Sequence, residues 1–458
     1  MNAIITLIIA ALTVAGFLAI RRSTASISPV LKALVLVYCL IGFVRYFLSD
    51  SFVEKVLDGA DIFESLLRMF YHVSYATLPM AVFYKRRIFR NIAVYFNLPA
   101  ALVAAVSFDK TFAYFLAPGG GGYYIDETLR LAVYMAELVL AITIPALLCL
   151  SEGHRLNVRS LKEWALTPIA ALAISWMMMP AYLPQSLVGF TGLSGATYGN
   201  MHLGWILYMV LECVVIYLIF KRRTMEEKHE LCVFLTIAQM YHTMSVFLRG
   251  FTFSRIPLQL CCIAAFLYFI AIVLKSRYLF DFCYVSNMIG AFIAIAIAAF
   301  SPDALCFWNV HYMQEHTFVV VVPVVAYSLH LYPRLDRTAV KYILSIFTVY
   351  FIFCLVVGGV LNTVASDGGG YTVNYFYMFN QSVAVDYVPF AGFTGAIVLN
   401  LFGVNYYPIL IVFIYCVFIL LCMLFYYANR AVYAIKDRLT LSGRAKAMGV
   451  YKSAIKPL

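Results

Sequence analysis

Long uninterrupted runs of apolar residues constrain this chain more than any other feature. Blocks of about twenty apolar residues recur along the sequence, separated by short charged clusters. A helix of that length crosses the hydrocarbon core of a bilayer, whereas the strands of a membrane barrel are about half as long. Of the 458 residues, 64% are hydrophobic and only 12% are charged, against about a quarter charged in soluble chains. The sequence therefore predicts an all-α, polytopic helical membrane protein and excludes a soluble one.

The apolar blocks predict thirteen membrane spans. In chain order they are 3–20, 29–48, 65–84, 92–108, 129–150, 164–183, 203–220, 231–248, 257–274, 283–300, 311–331, 342–361 and 407–428. The first block lacks the basic start of a secretory signal peptide, so we interpret it as a retained span.

Basic residues indicate the orientation of these spans. Clusters such as 85–87 and 221–223 follow every second span. Basic loops stay in the cytoplasm, so we expect the N-terminus outside the membrane and the C-terminus inside. The formal net charge of +11 is spread over these loops and forms no single patch, which favours membrane topology over a nucleic-acid partner.

Two parts of the chain resemble each other at a separation of 190 residues. This shift places the basic turn at 85–87 on the turn at 275–277, and Asn97 on Asn287. Duplication of six spans would explain the match, although alanine matches in apolar helices also arise by chance. The same register puts Tyr71 opposite Cys261, so we expect any chemistry to reside in the second copy.

The repeat suggests three regions. Residues 1–200 form a six-span half that reads as a degenerate copy, residues 201–430 form a seven-span half, and residues 431–458 form a basic cytoplasmic tail. Each half would need its neighbour only if the site required both, and the repeat itself is common in transporters.

A thiol and an imidazole are predicted at the same depth of the second half. Pro257 suits the first turn of a helix, which places Cys261 about one turn inside it. His316 lies one to two turns inside another span that enters from the same side. A cysteine beside a histidine is a known nucleophile and base arrangement, and the amides of Asn362 and Asn374 are candidates to orient the imidazole or to stabilise charge. The simpler interpretation of a lone cysteine in such a helix is packing.

Neighbouring residues give weaker signals. Cys262 points about 100° away from Cys261 around the helix and is interpreted as structural. A zinc site built from these two cysteines with His311 and His316 lacks the usual spacer between the cysteines, so we expect no metal and no cofactor.

Buried carboxylates support a different class of function. Glu137 and Glu212 lie within predicted spans, where ionisable groups commonly mark transport pathways. The alternative function is therefore a repeat-built transporter or lipid scramblase.

Several motifs of the second half resemble the transmembrane protein 164 and YwaF-related family of integral membrane acyltransferases. They are the Leu258-x-Leu260-Cys261 motif after a proline, the 275–277 turn before a helix with Gly290-Ala291, the Phe307 to His316 stretch, and Asn362 followed by Asn374-Tyr375. The resemblance covers about 203–428. The chain departs from the family pattern at Gln259, where histidine is common, and at Ser286-Asn287, where Trp-Gly is expected.

The resemblance implies that Cys261 is the nucleophile and His316 its partner. A fatty acyl chain would move from a membrane phospholipid to a lysolipid through a thioester on Cys261. Candidate substrate contacts are Arg249, Arg255, Gln259 and Tyr375. Because the thiol is expected near the outer surface, the charged cytoplasmic molecule acyl-CoA would have to cross the bilayer to reach it, and we expect a donor already in the membrane.

The orientation can be tested by cysteine labelling. Single cysteines introduced into the loop at 184–200 should react with an impermeant reagent added from outside, and those at 222–229 should not, because the second loop is expected in the cytoplasm. The opposite labelling pattern would contradict the orientation.

Overall fold

A computed structural model describes most of the chain. The described residues are 8–15, 18, 27–48, 70–108, 112, 126–151, 161–178, 198–249, 253–296, 298, 305–365, 373–381 and 391–439. They are predominantly helical, and seven of their helices are long and apolar enough to cross a membrane. The all-α, polytopic membrane fold is thus confirmed, and the count of thirteen spans stays a prediction. Most of the first predicted span, several loops between spans and the C-terminal tail beyond residue 439 lie outside the described residues.

Twelve α-helices are used below. They are α1 (Ile27–Leu48), α2 (Ser74–Pro79), α3 (Arg87–Val106), α4 (Glu127–Ser151), α5 (Leu161–Met178), α6 (Asn200–Phe220), α7 (Met225–Met244), α8 (Leu260–Val273), α9 (Arg277–Ala296), α10 (Phe307–Ser328), α11 (Arg337–Ala365) and α12 (Pro408–Leu439).

The chain divides into two compact units, and neither follows the sequence as one continuous piece. The first comprises Met1–Ala196, Ile237–Thr252 and Phe300–Gln314. The second comprises Thr197–Thr236, Phe253–Ala299 and Glu315–Leu458. The predicted boundary near residue 200 stays a prediction.

The same local structure occurs once in each unit. Lys85 and Lys275 have left-handed backbone angles, with φ of 57° and 52°. Each is followed by a helix, α3 or α9, that widens into a π-helical turn at Ala93–Asn97 or Cys283–Asn287. The beginning, the π-turn and the end of the two helices are all 190 residues apart, which is the separation found in the sequence. Duplication of the complete halves stays a prediction.

The two asparagines that close these π-turns differ in their bonding. Asn97 donates to the carbonyl of Phe70 at 2.7 Å and lies 2.6 Å from the hydroxyl of Thr77. Asn287 is fully buried, and its amide has no hydrogen-bond partner among the described residues. The first unit has therefore kept a bond at this position that the second unit lacks.

Close packing sets α8 against α9 in the second unit. A Cβ atom at Gly290 would lie 3.3 Å from the Cβ of Leu260, so the two helices approach most closely where a side chain is missing. This contact lies one residue before Cys261 and therefore helps to fix the start of α8.

A short β-hairpin precedes α12 and was not predicted. Leu399–Leu401 (β1) pairs antiparallel with Val404–Tyr406 (β2). The two turn residues, Phe402 and Gly403, both have positive φ, which matches the twist of a two-residue hairpin.

Asp336 joins two helices at the end of the second unit. One carboxylate oxygen accepts hydrogen bonds from the backbone N–H groups of Thr338 and Ala339 at 2.9 and 3.0 Å, which caps α11. The other oxygen pairs with Arg277 of α9 at 2.6 Å. Partial burial alone would raise the pKa of this carboxyl, but the bonds from Thr338 and Arg277 hold it below its ordinary value.

We expect Asp336 to contribute stability that depends on pH. Its pKa is lower in the folded chain, so the contribution is present above the ordinary carboxyl pKa of about 4 and is lost as the pH falls through the folded value. Asp336→Ala should lower the free energy of unfolding by about 1 kcal/mol, and Asp336→Asn by less, because asparagine can still cap the helix. Melting temperatures of the purified protein in detergent measure both. Equal losses in the two variants would contradict the assigned cap.

Candidate functional site

Hydrogen bonds to one carbonyl fix the start of α8. The oxygen of Leu258 accepts from the hydroxyl of Tyr350 and from the thiol of Cys354 at 3.6 Å, both on α11. Gln259 then occupies the N-cap with extended backbone angles, and Leu260 begins the helix. Cys261 is therefore the second helical residue, as Pro257 predicted to within a turn.

Two neighbouring side chains of α8 face two neighbouring side chains of α10. The thiol of Cys261 lies beside the imidazole of His316, close enough for a hydrogen bond. The thiol of Cys262 lies in the same way beside the carboxyl of Glu315. The two sulfur atoms are 3.8 Å apart. His316 and Glu315 are buried, whereas both cysteines are partly exposed, so the thiols are the accessible members of the cluster.

This geometry changes the interpretation of Cys262. The helical spacing predicted a purely structural residue, because adjacent side chains point about 100° apart. Its thiol can donate a weak hydrogen bond to the sulfur of Cys261, since either of the two can be the donor. Cys262 thus links Cys261 to Glu315.

The remaining polar candidates of the second unit hold one segment of chain. Asn362 is buried and makes a two-bond contact with the backbone of Val373, at 2.9 Å to its carbonyl and 2.7 Å from its N–H. Asn374 accepts a bond from the N–H of Phe379 at 2.9 Å. Asn362 and Asn374 therefore fix the course of residues 373–379.

Gln259 and Tyr375 tie that segment to the start of α8. The side chain of Gln259 donates to the carbonyl of Asn374 at 3.3 Å and accepts from the N–H of Phe376 at 3.4 Å. The hydroxyl of Tyr375 donates to the carbonyl of Ile256 at 3.4 Å. Because its side chain is used in this way, Gln259 makes no side-chain bond to the first turn of α8.

The two arginine candidates are placed apart from this network. Arg255 ends a 3-10 turn, Phe253–Arg255, and is partly buried. Arg249 ends the turn Ser245–Arg249 in the first unit, and its side chain lies outside the described residues.

One residue near the thiols was missed. Tyr350 interacts electrostatically with both Cys261 and Cys262 and bonds the carbonyl that precedes α8. It is one of 34 tyrosines in the chain and lies in an apolar span, so no sequence signal distinguished it.

Glu137, the carboxylate of the transport alternative, is buried in the first unit among partners. Arg45 of α1 pairs with it at 3.3 Å, and the hydroxyl of Tyr75 donates to the same oxygen. Arg45 also bonds His72 at 3.4 Å. Glu212 of the second unit is partly buried and is bonded by Tyr208.

The helices that carry the two buried carboxylates also resemble each other. Tyr-Met-x-Glu occurs at 134–137 in α4 and again at 312–315 in α10, and a proline follows eight residues after each glutamate. Glu137 therefore corresponds to Glu315, and the next residue is leucine in the first copy where the second has His316.

Histidines elsewhere have other contacts. His311 stacks on His242 with 4.5 Å between ring centroids, and its Nδ1 lies 3.2 Å from the hydroxyl of Ser245. Among the described residues, no group of three or more histidine, cysteine, aspartate or glutamate side chains could hold a metal ion.

Comparison with known proteins gives one match. The family model of the TMEM164 family matches residues 193–427. No curated protein and no solved structure matches the chain. The matched region contains the Cys261 and His316 cluster, the segment that Gln259 holds, and all of α6 to α11. This multi-pass integral membrane protein belongs to the TMEM164 family.

Proposed function

We propose that this protein is a lipid acyltransferase that moves a fatty acyl chain from a phospholipid to a lysolipid through a thioester on Cys261. The observation that carries the proposal is the contact between the Cys261 thiol and the His316 imidazole at the start of a membrane helix. Membership of a family for which the sequence motifs suggested such chemistry supports it.

In the first step His316 takes the thiol proton of Cys261, and the sulfur attacks the ester carbonyl carbon of the donor. The bond between that carbon and the glycerol oxygen then breaks, and His316 returns the proton to the departing lysophospholipid oxygen. In the second step a lysolipid hydroxyl gives its proton to His316 and attacks the thioester. The sulfur leaves and recovers the proton, so the enzyme is unchanged.

Negative charge on the reacting oxygen needs hydrogen-bond donors. The first N–H groups of any helix have no partner within the helix. In α8 these belong to Leu260, Cys261 and Cys262, and the Gln259 side chain that could cap them bonds Asn374 and Phe376 instead. They are therefore the best candidates to stabilise both a thiolate at Cys261 and the tetrahedral oxyanion.

The other predicted amides support this site indirectly. Asn362 and Asn374 bond backbone groups of residues 373–379, so we assign them the role of positioning that segment. Cys262 and Glu315 would act on the nucleophile through the contact between the two sulfur atoms.

The transport alternative has less support. Glu137 is already neutralised by Arg45 and Tyr75, so binding an ion there would require breaking a buried ion pair.

Label transfer tests the proposed reaction. Purified protein in liposomes with an acyl-labelled phospholipid and an unlabelled lysolipid should transfer label without CoA. Cys261→Ala should lower the rate by at least about 1,000-fold, because the nucleophile is lost. Cys262→Ala is the matched control and should lose no more than about tenfold, since it removes only a weak hydrogen bond. Full activity of Cys261→Ala, or strict dependence on acyl-CoA, would contradict the mechanism.

Trapping the intermediate provides a second test. Without lysolipid, incubation with donor phospholipid should add one acyl mass to the intact protein, and neutral hydroxylamine should remove it. The adduct should be absent in Cys261→Ala and present in Cys262→Ala. His316→Ala should slow its formation by about 100-fold or more, because the base is missing. An adduct that maps to another residue would refute the assignment of Cys261.

A further inference from the structure

A polar cavity lies in the second unit, away from the thiols. Its volume is about 320 Å³. The lining residues come from the ends of α6, α10 and α12 and from the segment after α10, and they are Tyr217, Tyr327, Ser328, His330, Tyr332, Arg334 and Tyr433. Ser328 lies twelve residues after His316 on α10, about 18 Å along the axis, so the cavity is near the opposite end of the helix from the proposed active site.

The lining carries positive charge and hydroxyl groups but no carboxylate. Arg334 and His330 line the cavity together with four tyrosines and one serine. The nearest acidic side chains are engaged elsewhere, because Arg277 pairs with Asp336 at 2.6 Å and with Asp281 at 3.4 Å. The charge of Arg334 is therefore not cancelled within the cavity wall.

The wall of the cavity is rigidly built. The guanidinium carbon of Arg334 lies 4.3 Å from the ring centroid of Tyr433, so the ring fixes the plane of the guanidinium and leaves its edge for hydrogen bonds. Tyr327 bonds Asp281 at 2.6 Å, and Tyr332 bonds the carbonyl of Ala271 at 2.9 Å. The cationic group is thus held in place before any ligand arrives.

His330 occupies a position where glycine would be easier to accommodate. It ends α10 with a left-handed φ of 61°. The bonds from His330 to Tyr327 and from Leu331 to Ala326, each 3.0 Å, form the usual closing pattern of a helix, in which this position is commonly glycine. A side chain is therefore kept there against the backbone preference, and it lines the cavity.

We propose that this cavity binds a phosphate group, carried by the headgroup of a phospholipid. An oriented guanidinium, an imidazole and hydroxyl donors are the groups that recognise phosphate oxygens. The volume suits a headgroup but not acyl chains. The chains would lie along α6, which exposes apolar side chains over most of its length and ends beside the cavity at Tyr217. The proposal does not depend on acyl transfer at Cys261.

Lipid binding to the purified full-length protein tests this site. The probe is dioctanoyl phosphatidylglycerol, detected by native mass spectrometry, and dioctanoylglycerol is the same molecule without phosphate. Wild-type protein should bind the first and not the second. Arg334→Ala should weaken binding by at least about tenfold, the loss expected for a charge-assisted hydrogen bond.

Two further variants separate the ligand contact from folding. His330→Gly removes the ring at a position where glycine is favoured, so it should fold normally and weaken binding by about threefold or more. Arg223→Ala is the matched control, since Arg223 is an exposed arginine near α6 that pairs with Glu227 at 3.9 Å. It should change binding by less than about twofold.

Competition with inorganic phosphate identifies the source of the group. Displacement of the lipid by phosphate at a similar concentration would support phosphate recognition from solution, and failure to displace it would support the lipid. Equal binding of dioctanoylglycerol, equal losses in Arg334→Ala and Arg223→Ala, or wild-type binding by both Arg334→Ala and His330→Gly would overturn the proposal.

Discussion

A polar side chain inside a membrane bundle must find its partner within the protein, because the surrounding hydrocarbon offers none. Each unit satisfies this requirement at one buried cluster. In the first unit Arg45, Tyr75 and His72 surround Glu137. In the second unit, two cysteines face Glu315 and His316. The helices that supply these groups are held at fixed separations by the pairing, so the clusters determine how the spans pack as well as where chemistry could occur.

The difference between the clusters explains why the second unit is the better candidate for catalysis. The glutamate is shared, but the first copy has Tyr71 and leucine where the second has Cys261 and His316. A tyrosine and an arginine around a carboxylate make a stable ion pair. A thiol beside an imidazole, partly exposed and at the start of a helix, can instead release a proton and attack a carbonyl.

The sequence predicted those parts of the structure that depend on burial in lipid or on a single strong residue type. Hydropathy marked the helices, and the rarity of histidine in spans drew attention to His316. It did not predict that Gln259 bonds Asn374 and Phe376, because a contact across more than a hundred residues leaves no local pattern. Tyr350 was missed for the same reason. The hairpin before α12 rests on two positive φ angles at Phe402 and Gly403, and phenylalanine is not a residue that signals such a turn.

The π-turn of α9 has a geometric consequence for the site. One additional residue in a helix rotates everything after it by about 100° relative to an unbroken α-helix. Gly290 follows this turn and faces Leu260, directly before the nucleophile candidate. Deleting one residue from Cys283–Asn287 would turn a bulkier neighbour toward α8 and move its first turn. The position of the thiol in the membrane is therefore set partly by a single extra residue on the adjacent helix.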